Sequence, residues 1–273
     1  MNRPIQWIVF YDFNVFVAPV LLETGEDPFG YHPGFGCCLE LYNPELDFMS
    51  PTEDELKLPI EQADDKFVGF VDLLGFSRRV LGEYEKSITF YQDILKFTGH
   101  IPTLRPEVKI TIYSDSFLLV ADSLGPLIAA TQGLLMQTLL HDCLVRGGIA
   151  RGEHLEVRKG ENLYVVSEAL VKAAAIEKSI KHPCVALHHE VEVPDDWWLG
   201  YQRNLDRGLL YFGGLRIVNP CNIGWGQSAG MRVIHMLEEA PQHRDKFDWF
   251  LELHQAIFSP VPMIPPRLIV EKK

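Results

Sequence analysis

Apolar and polar positions fall into a regular pattern only from Lys66 onward. The run "KFVGFVDLLGFSRRV", residues 66–80, predicts a buried strand over 66–72, a turn at Gly75-Phe76-Ser77, and a helix reaching about Thr98. "EVKITIYSDSFLLVADS" reads as two β-rich runs hinged at Ser114-Asp115-Ser116, a hairpin by alternation and turn residues. "GPLIAATQGLLMQTLLHDC" is helical and apolar on more than one face, the mark of a buried helix. "LVRGGIARGEHLEV" predicts a strand, a glycine-bearing turn and a further short strand. "VSEALVKAAAIEKSI" predicts an alanine-rich helix capped by Ser167, and "HPCVALHHEV" another strand. From about Pro194 the chain offers a strand pair in "LLYFGGLRIVNP" and two helices rich in His and Trp.

The order β-α-β-β-α-β-β-α-β is that of an α+β fold. It predicts a mostly antiparallel sheet with helices on one face, built on a ferredoxin-like βαββαβ core. Three segments follow: an irregular N-terminal extension over 1–62, a core over 63–193, and a C-terminal α/β extension over 194–273 packed on that core. The stretch before Lys66 is rich in glycine, proline and acidic residues, and Met49 is an alternative translation start.

Composition narrows the function classes. A formal charge of −12 argues against a nucleic-acid or anionic-membrane surface, which needs basic patches. No apolar run reaches the roughly 18 residues of a membrane span. Asp12 and Asn14 interrupt the apolar N-terminal stretch, so a secretory leader is not expected. The five cysteines form no CxxC pair, and buried reduced thiols in a cytoplasmic protein are the expectation.

Candidate chemistry centres on two aspartates. Asp72 ends a strand of valine, phenylalanine and leucine, where an unpaired carboxylate costs several kcal/mol to desolvate. Asp115 occupies the hairpin tip, and in a βαββ arrangement the hairpin lies beside the first strand. Two carboxylates so close repel unless divalent metal neutralises them, the arrangement of a two-metal phosphoryl-transfer site. Taken singly, each residue is better accounted for without metal, Asp72 as a helix cap and Asp115 in an Asx-turn; taken together, with "RGGIARG" following, the metal reading is preferred. His188-His189 and the His154-Leu155-Glu156 spacing are read as strand-edge residues rather than metal ligands. Trp197, Trp198, Trp225 and Trp249 are read as packing anchors.

Four motifs in order, "FVDLLGFS" (70–77), "IYSDSFLLV" (112–120), "RGGIARGE" (146–153) and "ALVKAAAIEK" (169–178), resemble the class III nucleotidyl cyclase catalytic domain over about 66–190. The resemblance implies that Asp72, Asp115 and the Leu73 carbonyl hold two Mn²⁺ or Mg²⁺ ions, and that Gly75, Phe76 and Ser77 receive the phosphates. It also implies a head-to-tail homodimer with active sites at the subunit interface. The departures matter as much. The family's base-reading lysine and aspartate fall on Thr111 and Tyr164, and its helix asparagine and transition-state arginine fall on Val171 and Ala175. Arg151, Lys178 and Lys181 are candidates for the missing cation. This pattern is similar to the bacterial pyrimidine cyclases of antiphage Pycsar systems, as are the tail motifs "RIVNPCNIGWG" and "HRDKFDWFLEL". That branch implies conversion of UTP to 3′,5′-cyclic UMP, the product acting on a separate effector. CTP as substrate and a catalytically inactive nucleotide-binding domain are the alternatives.

Overall fold

The computed structural model describes residues 9–10, 59–159, 162–222 and 224–270 of the chain. Met49 and most of the 1–62 segment lie outside the described residues. The chain forms two compact units, one of residues 1–62 with 156–165, the other of 63–155 with 166–273. In the smaller unit, β1 (Val9–Phe10) pairs antiparallel with Tyr164 and Val165.

The larger unit is an α+β domain. Its central strand β2 (Asp64–Leu73) lies between β4 (Ser116–Ala121) and β5 (Val145–Lys159), antiparallel to both. The hairpin partner β3 (Val108–Tyr113) lies outside β4. These four strands have the split βαβ order of the ferredoxin-like core expected from the sequence. Past β5 the sheet continues through β7 (Val185–Leu187), β9 (Leu215–Val218) and β8 (Leu209–Phe212), with only the β5–β7 pairing parallel. β5 and β6 (Asn162–Ser167), which pair with each other, both run into the smaller unit, to which residues 156–165 belong.

Helices cover both faces, which refines the one-face expectation. The pleat sends Val71 and Leu73 to one side, where they join a core with Phe90 and Ile94 of α2 (Tyr84–Leu104) and Leu127 and Leu134 of α3 (Leu124–Leu140). These two helices of the βαββαβ core do share a face. Val68 points the other way and packs with Leu118, Val120 and Ala169 of α4 (Glu168–Ser179). On that second face, Ala186, Leu210 and Ile217 pack with Val233 of α6 (Gly226–Glu239) and Phe250 of α7 (Arg244–Phe258). Two short helices, α5 (Asp195–Leu199) and α8 (Pro266–Val270), contribute Trp198 and Leu268 to the first core.

Two local readings differ from the sequence expectation. The helix expected to run unbroken to Thr98 divides at Glu83, leaving a seven-residue α1 (Phe76–Gly82) ahead of α2. The glycines of "RGGIARG" do not turn the chain; β5 runs straight through them. Their smallness serves close approach instead. A Cβ at Gly147 would meet the Phe70 carbonyl oxygen at 2.5 Å, and one at Gly148 the Ala173 carbonyl oxygen at 2.3 Å. Two backbones therefore pack against β5 where any side chain would intrude. Ser167 caps α4 as its sequence predicts, its Oγ accepting from the Leu170 amide at 3.0 Å.

Candidate active site

The site forms where β2 ends. Asp72 is the register partner of Ser116 on one side and Arg146 on the other, so all three side chains share the sheet face that α4 covers. Tyr113, paired with Ser116, extends this row onto β3. The β3–β4 turn then lifts Asp115 over the strand end. Ser114 takes the left-handed conformation there, at φ 53°, and its carbonyl accepts from the Tyr91 hydroxyl at 2.6 Å. The Asp115 carbonyl accepts from the Leu73 amide at 2.9 Å, fixing the turn to the end of β2.

Asp72 is half-buried, and its pKa is raised above the usual carboxylate range. Burial is the leading cause and the charge of Asp115 the second. The Ser116 hydroxyl donates to Asp72 Oδ1 at 3.1 Å and opposes the rise. Tyr91 is also shifted upward, by burial first and by Asp115 second, which puts its phenol in the same field. The strand end thus concentrates negative charge and supplies hard oxygen donors, a set that fits Mg²⁺ or Mn²⁺.

The Gly75-Phe76-Ser77 turn lies against this pair. Gly75 has φ 80°, a conformation that only glycine adopts without strain. The Ser77 hydroxyl donates to Asp115 Oδ2 at 3.4 Å. Phe76 is buried, its ring packed against Phe90 and Tyr91 at 5.6 and 5.9 Å between centroids.

Two residues that the sequence reading passed over complete the site. Arg146 sits beside Asp72, its Nε donating at 2.6 Å to Glu177 Oε1. Glu177, on α4, is only 5% exposed. A charged residue opening "RGGIARG" and a glutamate inside the alanine-rich helix were the available signals. Neither side chain explains itself alone.

The other candidates are placed as follows. Thr111 faces the same side as Asp72, opposite Leu118. Tyr164 belongs to the smaller unit. Arg151 points to the opposite face, about 16 Å along the strand from Asp72's row. It is bound to Asp65 through Nε at 2.8 Å and lies over the Phe67 ring, so the structure does not bring it to the strand end. Val171, Ala175 and Lys178 form an exposed i, i+4, i+7 stripe on α4, with Lys181 exposed just beyond the helix. His188, His189 and Glu190 bring ligand atoms within 4.8 Å of one another, but the Lys172 ammonium already lies 2.7 Å from Glu190 Oε2. Among the described residues, no helix is long and apolar enough to cross a membrane.

No family model matches the chain, and no curated protein matches it. Among solved structures, a bacterial light-regulated adenylyl cyclase is similar at 15% identity and TM-score 0.43, over 64% of this chain and 100% of that chain. The adenylyl cyclase CyaB from P. aeruginosa is similar at 15% identity and TM-score 0.39, over 47% of this chain and 79% of that one. The guanylyl cyclase Cya2 is similar at 11% identity and TM-score 0.39, over 57% and 91%. Similarity at this level assigns neither family nor activity.

Proposed function

We propose that the chain is a class III-type nucleotidyl cyclase acting on a pyrimidine nucleotide, UTP in the first instance, to give 3′,5′-cyclic UMP and pyrophosphate. The observation that carries this reading is the Asp72–Asp115 pair. Two carboxylates are fixed at one strand end, with Asp72 pushed toward its protonated form by burial and by its neighbour. Such a pair is unfavourable by itself and suited to divalent cations.

Asp72, Asp115 and the Leu73 carbonyl would hold two such ions. When bound, these would acidify the ribose 3′-hydroxyl and neutralise the departing pyrophosphate. In the balanced reaction the 3′-oxygen bonds to the α-phosphorus and loses its proton, while the bond from that phosphorus to the pyrophosphate oxygen breaks. The backbone of Gly75 and Phe76 and the Ser77 hydroxyl would take the phosphates. Arg146 stands beside Asp72 but is already paired with Glu177, whose charge acts on Asp72 more strongly than that of Arg146, so this pair adds to the demand for a cation rather than meeting it.

The exposed Val171–Ala175–Lys178 stripe supports a head-to-tail homodimer, in which Lys178, with Lys181 beyond it, would meet the partner's strand end. In the sequence, Thr111 and Tyr164 fall on the family's two base-reading positions, and the absence there of the lysine and the aspartate that read a purine favours a pyrimidine. CTP is the alternative substrate. A cytoplasmic enzyme signalling to a separate effector in antiphage defence is the setting this reading suggests.

The test is substitution at the carboxylates. Asp72→Ala and Asp115→Ala should each remove pyrophosphate release while leaving the circular dichroism spectrum and melting cooperativity intact. Most of the activity surviving in either variant would refute the two-metal assignment.

A further inference from the structure

A cavity of about 540 Å³ opens on the sheet face opposite Asp72. Its walls include Trp198, Tyr211, Arg216 and Arg267, with Glu192 and Asp195 also lining it. That volume lies within the usual range for small-molecule sites. Register places it well away from the carboxylate pair. Arg216 on β9 lies three strands and three residues from Asp72, on the order of 17 Å, and its partner Tyr211 on β8 lies one strand further.

The charges in this cavity are incompletely matched. Arg216 donates to the Val191 carbonyl at 2.6 Å and to the His188 carbonyl. Those bonds fix its guanidinium and leave further N–H groups of its five. Among the described residues, no carboxylate lies within ion-pair distance of Arg216. Burial, followed by the nearby charge of Arg267, pulls its pKa below the ordinary guanidinium value. Arg267 is exposed and pairs with Asp195 at 2.6 Å. Glu192 and Asp195, the two carboxylates of the lining, are both exposed.

A guanidinium withdrawn from water beside a second one, with no acid of its own, is costly until an anion joins it. Phosphate and carboxylate groups match the guanidinium fork in bidentate fashion. Trp198 is buried, so its ring forms a fixed apolar wall rather than a mobile clamp. Tyr211 and Pro265 continue that wall. We propose that this cavity binds an organic oxyanion bearing one flat ring, no larger than a mononucleotide, its phosphate or carboxylate held by Arg216 and Arg267 and its ring lying against Trp198 and Tyr211. The site is independent of the cyclase reading and stands or falls without it.

Calorimetric titration in EDTA with UMP, 4-hydroxybenzoate, uridine and orthophosphate tests it. The proteins are the wild type, Asp72→Ala and Arg267→Gln, each checked by thermal melting. UMP or 4-hydroxybenzoate should saturate one site in the wild type and equally in Asp72→Ala. Binding should weaken about tenfold or more in Arg267→Gln, the loss of one charge-assisted bond. Uridine and orthophosphate, each lacking half of the recognised chemistry, should bind more weakly. The proposal is overturned by no saturation with any probe, by unchanged affinity in Arg267→Gln, by loss of binding in Asp72→Ala, or by orthophosphate binding as tightly as UMP.

Discussion

Adding one methyl group at Gly148 should damage this protein more than its size suggests. A Cβ there would lie 2.3 Å from the Ala173 carbonyl oxygen and 2.7 Å from Ile176 Cβ. Favourable carbon contacts begin near 3.5 Å, so α4 must retreat from β5 by roughly 1 Å. The obstacle is helix backbone, which cannot rotate aside as a side chain would. Overpacking typically costs about 1–3 kcal/mol, and the rigid obstacle puts Gly148→Ala at the upper end, about 3 kcal/mol. In a domain of this size that lowers the melting temperature by roughly 6–12 °C. Gly99→Ala is the matched control. Gly99 is exposed within α2, and a Cβ there meets nothing within 4 Å. It should gain about 0.5–1 kcal/mol from helix propensity alone. Urea midpoints of both variants decide the matter: Gly148→Ala within about 0.5 kcal/mol of wild type would refute the tight β5–α4 contact. Because α4 carries Glu177, Gly148→Ala should also disturb the Arg146 ion pair.

Two more outcomes follow from shifted pKa values. The folded-state pKa of Asp72 is raised above 3.8, so the native state binds this proton more tightly than the unfolded chain does. Its stabilising contribution is present at pH values below 3.8 and is lost as pH rises through the raised value. Asp72→Asn should therefore melt higher than the wild type in EDTA at pH 7.5, with the advantage vanishing in acid. It should also lose the stabilisation by Mn²⁺, which for the wild type reaches about 2.7 kcal/mol at a hundredfold excess over Kd. An Asn variant that melts no higher in EDTA, or that responds to Mn²⁺ as the wild type does, contradicts this. Separately, burial pushes the thiols of Cys143, Cys184 and Cys221 up to about 12. Mass spectrometry after iodoacetamide treatment at pH 8 should find these three unlabelled until denaturant is added, and labelling of any of them in the native state would show that burial to be incorrect.

Much of the fold was legible because its signals are local. The alternation of "EVKITIY" and "SFLLVA" marked the hairpin, and Ser167 before "EALVKAAA" marked a cap that the structure contains. Asp72 stood out because a carboxylate is costly among such apolar neighbours, and Asp115 because a βαββ order sets its hairpin beside that strand. What escaped depends on contacts between distant segments. Gly147 and Gly148 have the composition of a turn, and only the approach of Phe70 and Ala173 explains them as packing residues. Arg146 and Glu177 are 31 positions apart and acquire meaning only as a pair. The cover on the second face was missed because α4 and the two C-terminal helices carry apolar stripes whose destination the sequence does not state. The oxyanion cavity joins loop, strand and C-terminal residues that no spacing connects.

The most direct measurement incubates the purified protein with Mn²⁺ and each of the four ribonucleoside triphosphates in turn, following pyrophosphate and identifying the nucleotide product by mass spectrometry. Cyclic UMP from UTP, accompanied by equimolar pyrophosphate, is the expected result. Cyclic CMP from CTP would keep the enzyme and change its base. Cyclic AMP or cyclic GMP as the main product would overturn the reading of Thr111 and Tyr164, and no pyrophosphate from any of the four would overturn the enzyme itself.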